Sequence, residues 1–296
     1  MSIRHLELRA RVVVEGFWSG LHRSPFHGFS AEFTEYRQYS PGDDLRYLDW
    51  RVLARSDRFF LKKFEDETNL RCHLLVDQSR SMTYGSTGYA KAAYAGTLAA
   101  TLAHFLDAQG DAVGLLTFDE AVRDYLPPRH RVGHLSRLMR ALDRPASGRG
   151  TDVVAAMARL VELLRKRGMV VVISDFLAPV ERLESALVAL TAGGHELVLF
   201  EVLDPAELTF PFREPALFED AETGREVLVD PATVREDYRR RFEAHGRKVR
   251  DLCTNLGGSH IRLMSDQPLE LALLNFLQAR RQAGRRVRRA VGRMER

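Results

Sequence analysis

The sequence is short of the features that mark several large classes of protein. It has two cysteines, Cys72 and Cys253, in 296 residues. They lie far apart and form no C-x-x-C pair, which leaves neither a disulfide framework nor a zinc ribbon and fits a reducing compartment. No apolar run approaches the roughly 20 residues that span a bilayer. Residues 1–11 alternate charged with apolar side chains instead of showing the apolar stretch of a signal peptide. The expectation is a cytoplasmic protein with no membrane insertion. There is no G-x-x-x-x-G-K-[ST], no complete G-x-G-x-x-G and no G-x-S-x-G elbow, so neither nucleotide binding nor a serine hydrolase has a motif behind it. An excess of one charge is missing too. The net charge is +4, but eight arginines and one glutamate fall in residues 280–296, and the chain without them carries −3. That Arg-rich tail reads first as a solvated helix end, although phosphates or an acidic partner could meet it. Nucleic acid is not the expected partner.

What is present is an ordinary globular composition, 45% hydrophobic and 28% charged, enough for one large core or two small ones. Apolar, β-branched runs at residues 70–76, 112–118, 169–173, 197–203 and, more weakly, 259–263 predict strands. They alternate with predicted helices at 90–109, 132–142, 153–167, 180–192, 232–255 and 269–281, several closed by Gly110, Gly168, Gly193 or Gly257. Strands of this kind suit a sheet covered by helices on both faces. The expected fold class is α/β, a doubly wound and mostly parallel sheet. Residues 122–126 follow the second strand closely enough to add one antiparallel edge strand. Residues 205–230 read as an extended segment and a hairpin turning at Thr223-Gly224. Residues 1–68 show neither a clear helical period nor a long strand, and are expected to form an N-terminal segment packing on a core domain of 69–279, with 280–296 as the tail.

The chemistry starts where the first of these strands ends, at Asp77-Gln78-Ser79-Arg80-Ser81. A D-x-S-x-S spacing in the loop after a buried strand can bring one carboxylate and two hydroxyls to a common point at the carboxyl ends of the strands, where open α/β sheets bind ligands. Alone it is a weak signal, because such strings also make turns and helix caps. Two further elements sit at sheet-compatible positions. The Gly-flanked loop Gly148-Arg149-Gly150-Thr151-Asp152 offers a hydroxyl, and Ser174-Asp175 ends the M-V-V-V-I strand with a second carboxylate. Asp77, Ser79, Ser81, Thr151 and Asp175 form an all-oxygen set suited to Mg²⁺, or to Mn²⁺, and lacking the imidazole or thiolate that zinc prefers.

In this set the sequence resembles the von Willebrand factor type A domain with its metal-ion-dependent adhesion site. The family's D-x-S-x-S, threonine loop and strand-end aspartate map in order onto the five residues above. The resemblance implies a Rossmann-like fold and a metal whose remaining position is taken by an acidic residue of a partner. The implied chemistry is recognition, not catalysis.

Upstream, residues 32–67 carry Arg37, Tyr39, Pro41, Gly42, Asp43, Asp44, Arg46, Asp49, Trp50, Ala54 and Arg55 in the order R-x-Y-x-P-G-D-D-x-R-x-x-D-W-x-x-x-A-R. Chemically this is a turn with alternating Asp and Arg under aromatic cover. Together with the adhesion-site motif it is similar to the bacterial family called domain of unknown function 58. That resemblance covers residues 26–118 specifically and the rest more loosely. It implies a role as partner or adaptor of a MoxR-type AAA+ ATPase, or of a client protein delivered to one. Asp43, Asp44 and Arg46 are then either internal bracing or a second partner surface. Two other readings compete. A Mg²⁺-dependent phosphohydrolase would also use a strand-end Asp, but here the position two after Asp77 is Ser79, not a second carboxylate, and no Lys follows the Thr loop. Nucleic-acid binding through the tail is the other. His130 and His134, at i and i+4, lack the Glu of H-E-x-x-H and read as ordinary histidines.

Overall fold

The computed structural model describes residues 6–22, 35–38, 60–63, 70–146, 152–164, 166–220, 224–270, 274 and 276. The chain divides into two compact units, residues 1–17 with 71–296, and residues 18–70. In the smaller unit, β1 (Glu35–Gln38) and β2 (Phe60–Lys63) pair antiparallel, with Arg37 opposite Leu61. Asp43, Asp44 and Arg46 lie outside the described residues, as does the Arg-rich tail.

The larger unit is built on a six-stranded sheet. Its strands are β3 (Arg71–Asp77), β4 (Ala112–Phe118), β5 (Val122–Arg129), β6 (Met169–Ser174), β7 (Glu196–Leu203) and β10 (Ser259–Met264), in the spatial order β10-β7-β6-β3-β4-β5. All neighbours are parallel except β5, which runs antiparallel to β4 at the edge. Every residue of β6 and all but the first of β3, β4 and β7 are buried. This is why these strands are continuous apolar runs and not alternating ones. At the entry of β6, a Cβ on Gly168 would fall 2.3 Å from the Arg71 carbonyl oxygen, so this glycine serves a close backbone approach and does not end a helix. Gly110 does end one, at φ +85°.

Helices cover both faces. On one side α2 (Lys91–Ala108) lies against β3 and β4 with α3 (His134–Leu142) beside it. On the other, α4 (Val153–Leu163), α5 (Val180–Ala192) and α7 (Pro231–Asn255) share one apolar cluster with Leu75, Leu116, Val170, Val172 and Leu199. The expected doubly wound α/β sheet with one antiparallel edge is the architecture found. Among the described residues no helix is long and apolar enough to cross a membrane.

Three local expectations need correction. Residues Leu6–His22 form a helix, α1, whose Leu6, Ala10 and Val14 recur at i, i+4 and i+8 and are buried. The β-branched run Val12-Val13-Val14 masks that period, and packing overrides its low helix propensity. The helix expected to reach residue 167 stops at Leu163, where Leu164 turns extended. The segment from 205 is not extended throughout: Pro205–Thr209 is a short helix, α6, started by Pro at its first turn and by a reciprocal cap between Asp204 and Glu207. The hairpin that follows, β8 (Ala216–Glu219) and β9 (Glu226–Val229), is as expected; Gly224 lies in its turn at φ +69°, and Thr223 is outside the described residues. Only Leu269, Glu270, Leu274 and Phe276 of the expected last helix are described, all helical.

Candidate metal-ion site

Strand order places the site. The chain leaves β3 toward β4 on one side and returns to β6 on the other, so the crevice at the carboxyl ends of β3 and β6 is the topological switch point, where open α/β sheets bind ligands. Val76 pairs with Ile173, which sets the next residues, Asp77 and Ser174, side by side. Asp77 is fully buried. Its Oδ2 accepts from the Ser174 hydroxyl at 2.6 Å, and its Oδ1 accepts from the Ser79 backbone N–H at 2.9 Å. That second bond folds the D-x-S turn on itself, and the Ser79 and Ser81 hydroxyl oxygens then lie 3.1 Å apart. One carboxylate and two hydroxyls are thus gathered as the spacing implies. Thr151 lies outside the described residues; the next residue, Asp152, caps α4 and donates its N–H to the Asp119 carbonyl at the end of β4, 2.8 Å away.

Asp175, the residue after β6, is also buried, but the structure gives it a partner that sequence reasoning missed. Lys91, fully buried at the start of α2, donates from Nζ to Asp175 Oδ2 at 2.9 Å and to Glu207 Oε1 at 2.6 Å. The signal was available: Lys91 is the sole Lys or Arg in α2, and it sits at a helix N-terminus, where the macrodipole disfavours a cation. Such a lysine requires carboxylates nearby. Glu207 comes from α6, where its Oε2 also accepts from the Asp204 N–H at 2.8 Å. Asp204 in turn accepts from Ser86 and from the Ala206 N–H.

The electrostatics follow from this crowding. Burial and the neighbouring charge of Asp175 push the Asp77 carboxyl up to about 7, against the hydrogen bonds from Ser174 and Ser79. Burial would depress Lys91, but two acids outweigh it and hold its ammonium above the ordinary value. Glu207 shares that single ammonium with Asp175, and there burial wins and raises the carboxyl. Asp204 is held below the ordinary range, because the Ser86 and Ala206 donors outweigh its burial.

With all three acids ionised, Asp77, Asp175 and Glu207 against Lys91 leave two negative charges uncompensated, and the raised Asp77 carboxyl is one sign of that excess. A divalent cation would neutralise that excess, and the donors are all oxygen, so the residues fit a hard cation such as Mg²⁺. Among the described residues no three His, Cys, Asp or Glu side chains converge as ligands, so the hydroxyls are needed to complete a set. His134 is not part of one: it is buried with Nε2 2.8 Å from the Val113 carbonyl, while His130 is exposed beside Asp107.

Beside the site the β6–α5 loop and the segment after α6 carry aromatic side chains under unusual backbone. Phe176 (φ +52°) and Phe210 (φ +47°) are the non-glycine residues with left-handed backbone among those described, a conformation that costs of order 1 kcal/mol or more in a bulky residue. Both carbonyls are held by α7: Arg235 Nε donates to Phe210 O at 3.2 Å, and His245 Nε2 to Phe176 O at 2.7 Å.

Uncharacterized proteins of Mycobacterium bovis and Mycobacterium tuberculosis are each 31% identical to this chain over 286 residues, covering 95% of it and 89% of their own length. Among solved structures, an aerotolerance-related membrane protein from Bacteroides fragilis superposes with a TM-score of 0.50 at 16% identity, over 71% of this chain and 98% of its own. That likeness, with the strand order and the antiparallel edge, makes the fold von Willebrand factor type A-like. The model of the family described as protein of unknown function DUF58 matches residues 35–251, and this chain belongs to that family.

Proposed function

We propose that this protein is a non-enzymatic, metal-dependent protein-interaction module. Mg²⁺, or Mn²⁺ in its place, would be held by Asp77, Ser79 and Ser81, with Thr151 and Asp175 completing the set and an acidic residue of a partner taking the remaining position. The observation that carries this reading is the unbalanced carboxylate pair at the switch point, with its serine hydroxyls gathered at 3.1 Å. Lys91 occupies Asp175 Oδ2, which favours Asp175 meeting the metal through water; a cation bound chiefly by one carboxylate and hydroxyls keeps enough positive character to hold an incoming carboxylate. Support for recognition over a serine hydrolase comes from Ser79, whose described partners are Asp77 and Ser81 and include no histidine of the Ser-His kind.

The family resemblance supports a MoxR-type AAA+ ATPase, or a client delivered to one, as the partner, in the cytoplasm. The test is electron paramagnetic resonance of Mn²⁺ with the purified chain, competed by Mg²⁺, beside Asp77→Ala. Saturable binding lost in the variant is expected; an unbound Mn²⁺ spectrum with the wild type overturns the proposal. A purified MoxR-type ATPase should then co-sediment with the chain in Mg²⁺ and separate from it in EDTA.

A further inference from the structure

A cleft of about 640 Å³ opens from the site, and its lining combines two kinds of chemistry. Ser81 and Asp175 of the site are one part. The other is an aromatic wall made by Phe210, Phe212, Phe218 and Tyr238, whose ring centroids lie 4.6–5.6 Å apart in the pairs Phe210–Tyr238, Phe210–Phe212, Phe212–Phe218 and Phe210–Phe218. Leu177 also lines it, 46% exposed. The volume is in the range that encloses a small ligand or a few side chains.

Three observations say what it receives. First, the charged groups among its lining are four carboxylates, Asp175, Glu207, Glu219 and Asp220, against Arg182. A phosphate ester or nucleic acid would meet mostly negative charge there, so an anionic ligand is admitted only where a cation bridges it. Second, the rim charges are already engaged: Glu219 pairs with Arg80 of the D-x-S-x-S turn at 3.1 Å, and Arg182 lies 3.5 Å from Asp152. The rest of the wall selects an uncharged, apolar side chain. Third, both left-handed phenylalanines, Phe176 and Phe210, line this cleft, and α7 clamps the carbonyl of each. A glycine would adopt that backbone without strain; retaining a ring there is the pattern of strain held at a binding site.

We propose that the cleft takes an apolar side chain lying within two positions of the partner's metal-binding carboxylate. The recognised element is then an acidic residue with a neighbouring Phe, Trp, Tyr or Leu: the carboxylate completes the cation beside Ser81 and Asp175, and the apolar side chain packs on the apolar lining that Leu177 and the aromatic wall supply. This rests on the metal-dependent reading above and adds the sequence class of the partner. Residues one or two positions apart on an extended peptide lie about 3.4–7 Å apart along the chain, so a single short segment carries both groups.

The test is selection of a random-peptide display library on the immobilised full-length chain in Mg²⁺ and in EDTA, with Mn²⁺ binding measured in parallel. Expected is an acidic residue with an aromatic or large aliphatic neighbour, enriched in Mg²⁺ alone. Peptides so selected, labelled with fluorescein, should bind Phe218→Ser and the exposed-site variant Leu177→Ser at least tenfold more weakly, while both variants bind Mn²⁺ as the wild type does. A consensus of acidic residues with no apolar neighbour overturns the cleft assignment and leaves the metal reading standing. No consensus with Mn²⁺ binding intact, as when the cleft is filled by this chain itself, also overturns it. Loss of Mn²⁺ binding in the wild type overturns the metal reading and the cleft assignment with it.

Discussion

Replacing Asp77 by Asn should stabilise the metal-free protein at pH 8, although it removes a buried, doubly hydrogen-bonded side chain. The reason is the cost of ionising Asp77 beside Asp175 in a dry site. Its folded-state pKa is about 7, against 3.8 for the free side chain. Below pH 4 both folded and unfolded chains carry the proton and the group is neutral in the balance. As pH rises from 4 to 7 the unfolded chain ionises first, so stability falls through that window and stays reduced above it. The full gap corresponds to roughly 4 kcal/mol. Asn keeps the shape and can accept from the Ser79 N–H, but it weakens the bond to Ser174, at about 1 kcal/mol. The net gain at pH 8 is then about 2–3 kcal/mol, or roughly 3–5 °C in melting temperature for a chain of this size. The assay is thermal or urea unfolding of both proteins in EDTA at pH 4 and pH 8. The advantage of Asn should vanish at pH 4. In saturating Mg²⁺ at pH 8 the order should reverse, because the wild type alone gains the binding free energy. An Asn variant less stable than wild type at pH 8 in EDTA would refute the argument that the carboxylate is held there at a cost.

Two other substitutions probe the same charge balance. Lys91→Met leaves Asp175 and Glu207 buried without their cation and should cost about 3–5 kcal/mol at pH 8; the shift in urea midpoint measures it. In the wild type the raised Lys91 pKa makes this contribution fully present below the ordinary lysine range, losing it only as pH rises through the folded value. Asp204→Ala removes the cap of α6 and the acceptor for Ser86, at about 1–2 kcal/mol above pH 5. Because the Asp204 pKa is lowered, that loss should fade as pH drops below the ordinary carboxylate range and through the folded value.

Much of the sheet was legible before any coordinates. Residues 112–118 and 180–192 are a strand and a helix at the expected bounds; β3 is displaced by one residue, β6, β7 and β10 differ by one residue at one end, and the edge strand β5 runs three residues past the expected 126. Fully buried parallel strands must be apolar along their whole length, so composition marks them. The helix α1 was hidden for the converse reason: Val12-Val13-Val14 has strand chemistry, and only burial of Leu6, Ala10 and Val14 makes it helical. Likewise α6 is five residues long and owes its existence to a cap and a proline more than to any period.

The site divides along the same line. The positions of Asp77, Ser79, Ser81 and Asp175 were legible in the sequence because they are local: a carboxylate that closes its own turn, and a second one just after the neighbouring strand. Lys91 and Glu207 could not be joined to them by spacing, since they lie on α2 and α6, which meet Asp175 only through the crossovers of the sheet. The aromatic wall of the cleft is assembled the same way, from the end of α6 and the segment after it, a hairpin and a long helix. Local spacing determines which oxygens face one point, because a turn is short enough for the chain itself to orient them. Which charge offsets them, and what surface surrounds them, is decided by tertiary packing, because those energies depend on distances between segments and on the exclusion of water, neither of which is written in residue order.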